Sequence, residues 1–164
     1  MPPKTFFSFH HGRDAWRAGQ VRNSSVIKSK NKRGYLDKAE WEEVKKKGRP
    51  AVKHWIDSQL KGTSVTVVLI GKETCDREYV KYEIQESFKK GNTIIGVRIH
   101  NLKNEEGQTD SPGESPFDKC TVKYNGKERP VSEAYKNLQI YDWVEDDGYD
   151  NFDKWIATAI AKGR

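Results

Sequence analysis

Ser64-Val65-Thr66-Val67-Val68-Leu69-Ile70-Gly71 is the stretch that decides the fold. A strand with one wet face alternates apolar and polar residues. This one is almost continuously apolar, so both its faces must be covered, as in a strand inside a parallel sheet. A helix follows from near Asp76, with Thr74 or Cys75 as its cap, and runs to Lys89-Lys90-Gly91 with acids in its first turn and bases in its last. Val80, Ile84 and Phe88 form its buried stripe, and Thr93-Ile94-Ile95-Gly96-Val97-Arg98-Ile99 reads as a second buried strand. Strand, helix and strand with short Gly-marked joints make a βαβ unit. The expected class is therefore α/β, a central parallel sheet with helices on both faces.

Upstream, Thr5-Phe6-Phe7-Ser8-Phe9-His10 is aromatic and β-prone, His11-Gly12 reads as a loop, and Arg13-Asp14-Ala15-Trp16 starts a helix. Gly34-Tyr35-Leu36-Asp37 is a short second strand, and Val52, Trp55, Ile56 and Leu60 share one face of a helix over 51–60. Downstream, Leu138 to Trp143 is a last strand, and Phe152, Trp155, Ile156, Ala159 and Ile160 repeat at helical spacing. Residues 101–136 are polar and turn-rich. Only Leu102, Phe117, Val122, Val131 and Ala134 among them are aliphatic or Phe, so this segment is expected to be a long surface excursion serving regulation or assembly rather than core packing.

The 164 residues suit one domain, 1–164. Apolar residues at 34% and five Trp exclude outright disorder. No apolar run approaches membrane-spanning length, and the first residues lack a signal-peptide layout, so a soluble, cytoplasmic protein without a membrane partner is expected. Cys75 and Cys120 read as plain thiols, with no metal site. Residues 1–50 carry 13 Lys/Arg against 5 Asp/Glu, net +8, whereas residues 101–164 carry 9 against 13, net −4. The clusters Lys28, Lys30, Lys32, Arg33 and Lys45, Lys46, Lys47, Arg49 suit nucleic acid or a phosphate-bearing small molecule, but no aromatics interleave with them as in single-strand binders. Nucleic acid is not the expected partner.

Ligands of open parallel sheets bind beyond the carboxyl ends of the strands, which points to Ser8, His10, His11, Asp37 and Gly71 to Thr74. No glycine-rich dinucleotide or phosphate loop and no nucleophile elbow occurs at these places. Glu83 is the carboxylate that stands out: it lies about 60° round the helix from Val80, on the flank of the buried stripe, and is expected to be half buried. Tyr79 precedes it by one turn and can form a pocket wall. Ser8 and His10 alternate with Phe9 and so share one side of the first strand's end, where they can meet phosphates or ribose. Asp37 is placed to reach the same site. Phe6, Phe7, Phe9, Trp143 and Trp155 are expected in the core, and His54 and His100 at surface or structural positions.

Seven segments in order carry a resemblance: Phe6 to His10, Val21-Arg22-Asn23, Thr63 to Gly71, Tyr79-Val80-Lys81-Tyr82-Glu83-Ile84, Lys90 to Gly96, Ser115 to Asp118 and Tyr141 to Tyr149. Together they resemble the bacterial TIR-like family, in particular the TIR proteins of the Thoeris anti-phage defence system. The resemblance implies a flavodoxin-like fold and an enzyme of the NAD glycohydrolase or ADP-ribosyl cyclase type. Such an enzyme takes NAD as substrate with no separate cofactor, responds to a phage-derived trigger, and makes a cyclic ADP-ribose-type messenger for a separate effector protein. It places the catalytic glutamate on Glu83, within an aromatic-x-[KR]-Tyr-Glu pattern in which Tyr79 stands where the family commonly has Trp. Self-association is a further expected partner, and a non-catalytic scaffold acting by protein–protein assembly is the reading that competes with the enzyme, ahead of a basic nucleic-acid-binding module.

Overall fold

Apolar strands buried on two faces need neighbours on both edges and helices above and below, and the computed structural model provides them. It describes residues 3–24, 32–34, 36 and 38–164. The main sheet contains β1 (Thr5–Ser8), β2 (Lys32–Arg33), β3 (Val65–Ile70), β4 (Thr93–Arg98) and β7 (Ile140–Asp142), ordered β2-β1-β3-β4-β7 with every pairing parallel. This is the doubly wound order of flavodoxin-like folds, in which the chain reverses its direction of travel between β1 and β3.

The helices are α1 (His11–Arg22), α2 (Lys38–Lys46), α3 (Arg49–Leu60), α4 (Glu78–Lys90), α5 (Pro116–Lys119), α6 (Val131–Ala134) and α7 (Gly148–Lys162). Along β3, Val65, Val67 and Leu69 pack with residues of α1 and α7, whereas Val68 and Ile70 pack with Val80, Ile84 and Phe88 of α4. The period-2 geometry of a strand sends its two apolar sets to opposite helical layers. A third cluster joins Phe6 to Trp41, Val52, Ile56 and Leu60, so α2 and α3 cover the β1 end of the α4 layer. Phe6, Phe7, Phe9, Trp143 and Trp155 are all buried.

The differences from the sequence reading have physical causes. Helix α1 begins at His11, because Arg13 and Asp14 both donate their backbone N–H to the His10 carbonyl and leave no room for a loop. The second strand is Lys32–Arg33 rather than the stretch from Gly34, whose positive φ bends the chain there; Tyr35 and Asp37 lie outside the described residues. Thr74 and Cys75 do not cap α4. They belong to a separate 3-10 turn, Thr74–Asp76, and Arg77 is the extended residue that precedes the helix. No helix among the described residues is long and apolar enough to cross a membrane.

The segment 101–136 is the main correction. It carries α5, α6 and a hairpin of β5 (Thr121–Tyr124) and β6 (Lys127–Pro130), and Phe117, Cys120, Val122, Val131, Ala134 and Tyr135 are buried in the same cluster as β3 and α4. A few apolar residues suffice because each sits at a strategic place. Phe117 covers Gly96, where a Cβ would come within 2.8 Å of its ring, and the Tyr135 hydroxyl accepts from the Ile94 N–H. The first third is strapped to α1: the buried Arg17 donates to the Leu102 and Gln108 carbonyls and pairs with Asp14 and Asp110.

Candidate functional site

Register explains how Ser8 meets Glu83. Pairing of Phe6 with Thr66 and Ser8 with Val68 sets Ser8 beside the β3 residues that face α4. Helix α4 turns Glu83 and Ser87, one turn apart, toward that face. The outcome is two polar rungs in an otherwise apolar layer: Ser8 Oγ donates to Glu83 Oε1 at 2.7 Å, and the hydroxyls of Thr66 and Ser87 bond at 2.7 Å. Asn92 completes the second rung by donating to Thr63 and Thr66, which leaves that rung a structural network. The first rung ends in a carboxyl group.

Glu83 is only 2% exposed, deeper than the half-buried position its helical angle suggested, because α2 and α3 close the side that a bare α4 would leave open. Burial raises its pKa from 4.5 to about 8, against the smaller opposing effect of the Ser8 hydrogen bond. The free protein therefore holds Glu83 protonated at neutral pH. Such a buried, neutral carboxyl group beside a cleft marks Glu83 as a candidate functional residue.

A cleft of about 310 Å³ opens beside this pair, lined by Phe9, His10 and His11 beyond β1, Trp41 and Lys45 of α2, and Asp76 to Val80 at the start of α4. It lies at the carboxyl end of β1, at the topological reversal, where ligands of such sheets bind. Ser8 precedes its wall by one residue and Glu83 lies one turn beyond Tyr79. His10 and Tyr79 thus line the cleft, whereas Ser8 and Glu83 bond each other in the buried layer next to its lining elements and do not line it; Asp37, the fifth expected site residue, lies outside the described residues.

Of the aromatic side of the cleft the sequence reading contains Tyr79 as a pocket wall but not Trp41. His11 stacks on Trp41 with centroids 4.4 Å apart and lies tilted against Phe9 at 4.1 Å, and Trp41 meets Tyr79 edge-on at 5.7 Å. Burial lowers the His11 pKa to about 4, and its Nε2 lies 3.1 Å from the Gly34 carbonyl, which fixes the neutral ring as a donor there. His10 is also held neutral, its pKa lowered to about 4 chiefly by burial and then by Arg77. Neither ring offers a charge at neutral pH. No cluster of three or more His, Cys, Asp or Glu able to hold a metal exists among the described residues.

The profile of a family described as Thoeris protein ThsB, TIR-like domain, matches residues 6–104, the span from β1 through β4 that builds both the sheet core and the cleft. The chain belongs to this ThsB TIR-like family. A curated relative from Bacillus cereus (strain MSX-D12), named "Putative cyclic ADP-D-ribose synthase ThsB1", is 35% identical over a 192-residue alignment that spans 95% of this chain and 100% of the relative. Strands β1 to β4 and the Ser8–Glu83 pair fall inside the matched region, whereas the hairpin, the edge strand β7 and α7 lie outside it.

The raised Glu83 pKa has a consequence for stability. Between its unfolded value near 4.5 and about 8, the folded state holds a proton that the unfolded state has lost, so stability falls as pH rises through that window. By pH 7 the loss amounts to about 3 kcal/mol. Urea denaturation across pH 5 to 8 is expected to show this decline in the wild type and a flatter profile in Glu83→Gln. Identical slopes in the two proteins would show that Glu83 ionises normally in the fold.

Proposed function

We propose that this protein is an NAD-consuming signalling enzyme that breaks the bond between ribose C1′ and nicotinamide and forms a cyclic ADP-ribose-type messenger. The observation that carries the reading is Glu83, a buried carboxyl group bonded to Ser8 at the mouth of β1 beside a half-aromatic cleft. Family membership and the relative's name support it.

The chemistry suits one carboxylate. Bond cleavage passes through an oxocarbenium-like state, as in glycoside hydrolysis. Nicotinamide leaves a cationic pyridinium as a neutral molecule, so no general acid is needed. The positive charge that enters with the substrate favours the ionised form of Glu83 and draws its pKa down in the complex. The carboxylate then bonds the ribose hydroxyls more strongly as charge develops at C1′, and this difference between ground and transition state accelerates the step. Ser8 holds the carboxyl group in place, and the Trp41, His11 and Tyr79 rings supply an aromatic surface against which a base can pack. With water excluded, a nucleophile within the same molecule captures C1′ and closes a ring; with water admitted, linear ADP-ribose results.

Substrate must reach a group that is 2% exposed, so the reading includes gating: the resting protein keeps the site closed, and a phage-derived trigger or self-association opens it. An active form held near 1% requires only about 2.7 kcal/mol. Purified protein incubated with NAD is expected to release nicotinamide slowly, and material from infected cells to raise the rate. The messenger is then expected to act on a separate effector protein. Full activity in the dilute, untreated protein would overturn the gating, and no nicotinamide under any condition would leave the scaffold reading in its place.

A further inference from the structure

The cleft has a charged edge that Glu83 chemistry does not use. Arg77 and Lys45 line it from opposite elements, the residue preceding α4 and the last turn of α2. Two acids line it as well, but each is engaged by a cation elsewhere: Glu78 pairs with Arg49, and Asp76 with Lys119 at 3.5 Å. Arg77 makes no ion pair or side-chain hydrogen bond among the described residues, and the one ion pair of Lys45, to Glu42, is long at 3.9 Å and solvent-exposed. The cleft edge therefore carries one positive charge, Arg77, with no ion pair among the described residues and a second, Lys45, held only by a long exposed one.

These two charges converge on one place. Both Arg77 and Lys45 line the cleft together with His10, and the acid nearest that ring, Glu73 at 3.9 Å, is itself paired with Arg13 at 3.1 Å. The first turn of α4 also borders the cleft, and the positive end of its dipole adds to the same field. A cleft with one unpaired and one loosely paired cation at its edge, and with aromatic rings on the helix that carries Glu83 one turn deeper, matches a molecule with a dianionic centre and an aromatic cation.

Resting on the NAD reading above, we infer that Arg77 and Lys45 bind the pyrophosphate of the dinucleotide and so set which substrates the cleft admits. Arg77 offers a planar fork that meets two phosphate oxygens, and Lys45 a point charge on a flexible stem. With the pyrophosphate held there, the nicotinamide ribose is directed inward along Trp41 and Tyr79 toward Glu83. Neutral His10 lies between the two ends and can hydrogen-bond without opposing the incoming pyridinium. Substrates lacking the pyrophosphate lose this anchor and gain nothing from the edge.

Titration calorimetry of the full chain with ADP-ribose, which carries the pyrophosphate but cannot be cleaved to nicotinamide, tests the assignment. Arg77→Gln and Lys45→Gln are each expected to weaken ADP-ribose binding about tenfold and to flatten its salt dependence. Nicotinamide riboside, which lacks the pyrophosphate, should change less than twofold, and Lys154→Gln, an exposed cation on α7, should change neither ligand. Both substituted side chains are exposed, so folding is preserved. ADP-ribose affinity within twofold of wild type in both variants, or no binding to the wild type, overturns the proposal. So does an oligonucleotide that binds more tightly than ADP-ribose and weakens in the same variants. The NAD-cleaving reading fails separately, through absent nicotinamide release, and the titration stands whichever way that assay turns out.

Discussion

Glu83→Gln is expected to slow nicotinamide release from NAD by at least about a hundredfold, the scale of losing one well-placed electrostatic group in a buried site. The amide keeps the size of the side chain and can still accept the Ser8 hydrogen bond, but it cannot become negative as the oxocarbenium forms. Stability should move in the opposite sense from activity. At pH 4, where Glu83 is protonated folded and unfolded, the two proteins should denature within about 1 kcal/mol of each other, and as pH rises toward 8 the variant should become increasingly the more stable, because it no longer carries a carboxyl group that burial pushes up to about 8. Activity of the wild type should rise with pH: kcat/KM follows the free protein, whose Glu83 loses its proton near 8, whereas kcat follows the complex, where the pyridinium draws that ionisation lower. A variant that turns over NAD at the wild-type rate would remove Glu83 from the reaction. A variant that is both inactive and destabilised at every pH would point to a structural role.

The parts of this protein legible in its sequence are those where one physical signal dominates. β3 and β4 were readable because burial on two faces demands continuous apolar residues, and α4 because its acids, stripe and bases follow the dipole and the 3.6-residue period. Glu83 stood out by its angle to Val80, although its full burial depends on α2 and α3, which no pattern within α4 could reveal. Helix α2 escaped notice because its Lys and Glu residues read as a charge run. Its signal was present all the same, since Glu42 with Lys45 and Glu43 with Lys46 are i,i+3 pairs and Trp41 and Val44 share its inner face. Recognising that helix would have brought Trp41 into the site. His11 falls among the residues beyond the first strand in the sequence, but it reads there as a loop residue, because nothing local shows that the first turn of α1 begins immediately after β1.

Segment 101–136 misled for a different reason: composition counts apolar residues without showing where each one lands. Phe117 makes the point testable. It is 1% exposed, sits on Gly96 of β4, and packs with Val68, Ile70, Val122 and Tyr135, while Ser115 Oγ accepts from its N–H and sets the start of α5. Phe117→Ala is therefore expected to cost about 3–5 kcal/mol in urea denaturation, the range for emptying a buried aromatic site. An exposed change in the same segment, Lys123→Ala on β5, should cost less than about 0.5 kcal/mol. Gly96 supplies a second, independent reading. A Cβ there would lie 2.8 Å from the Phe117 ring, 3.0 Å from Ile70 Cδ1 and 3.2 Å from Ile140 Cγ1, so Gly96→Ala should destabilise the wild type. With the ring gone, its tightest contact disappears and the methyl group fills part of the cavity. The double variant should then lose clearly less than the two single losses added together, a coupling that only direct contact produces. Strict additivity, or a Phe117→Ala loss below about 1 kcal/mol, would return the segment to a loose surface excursion.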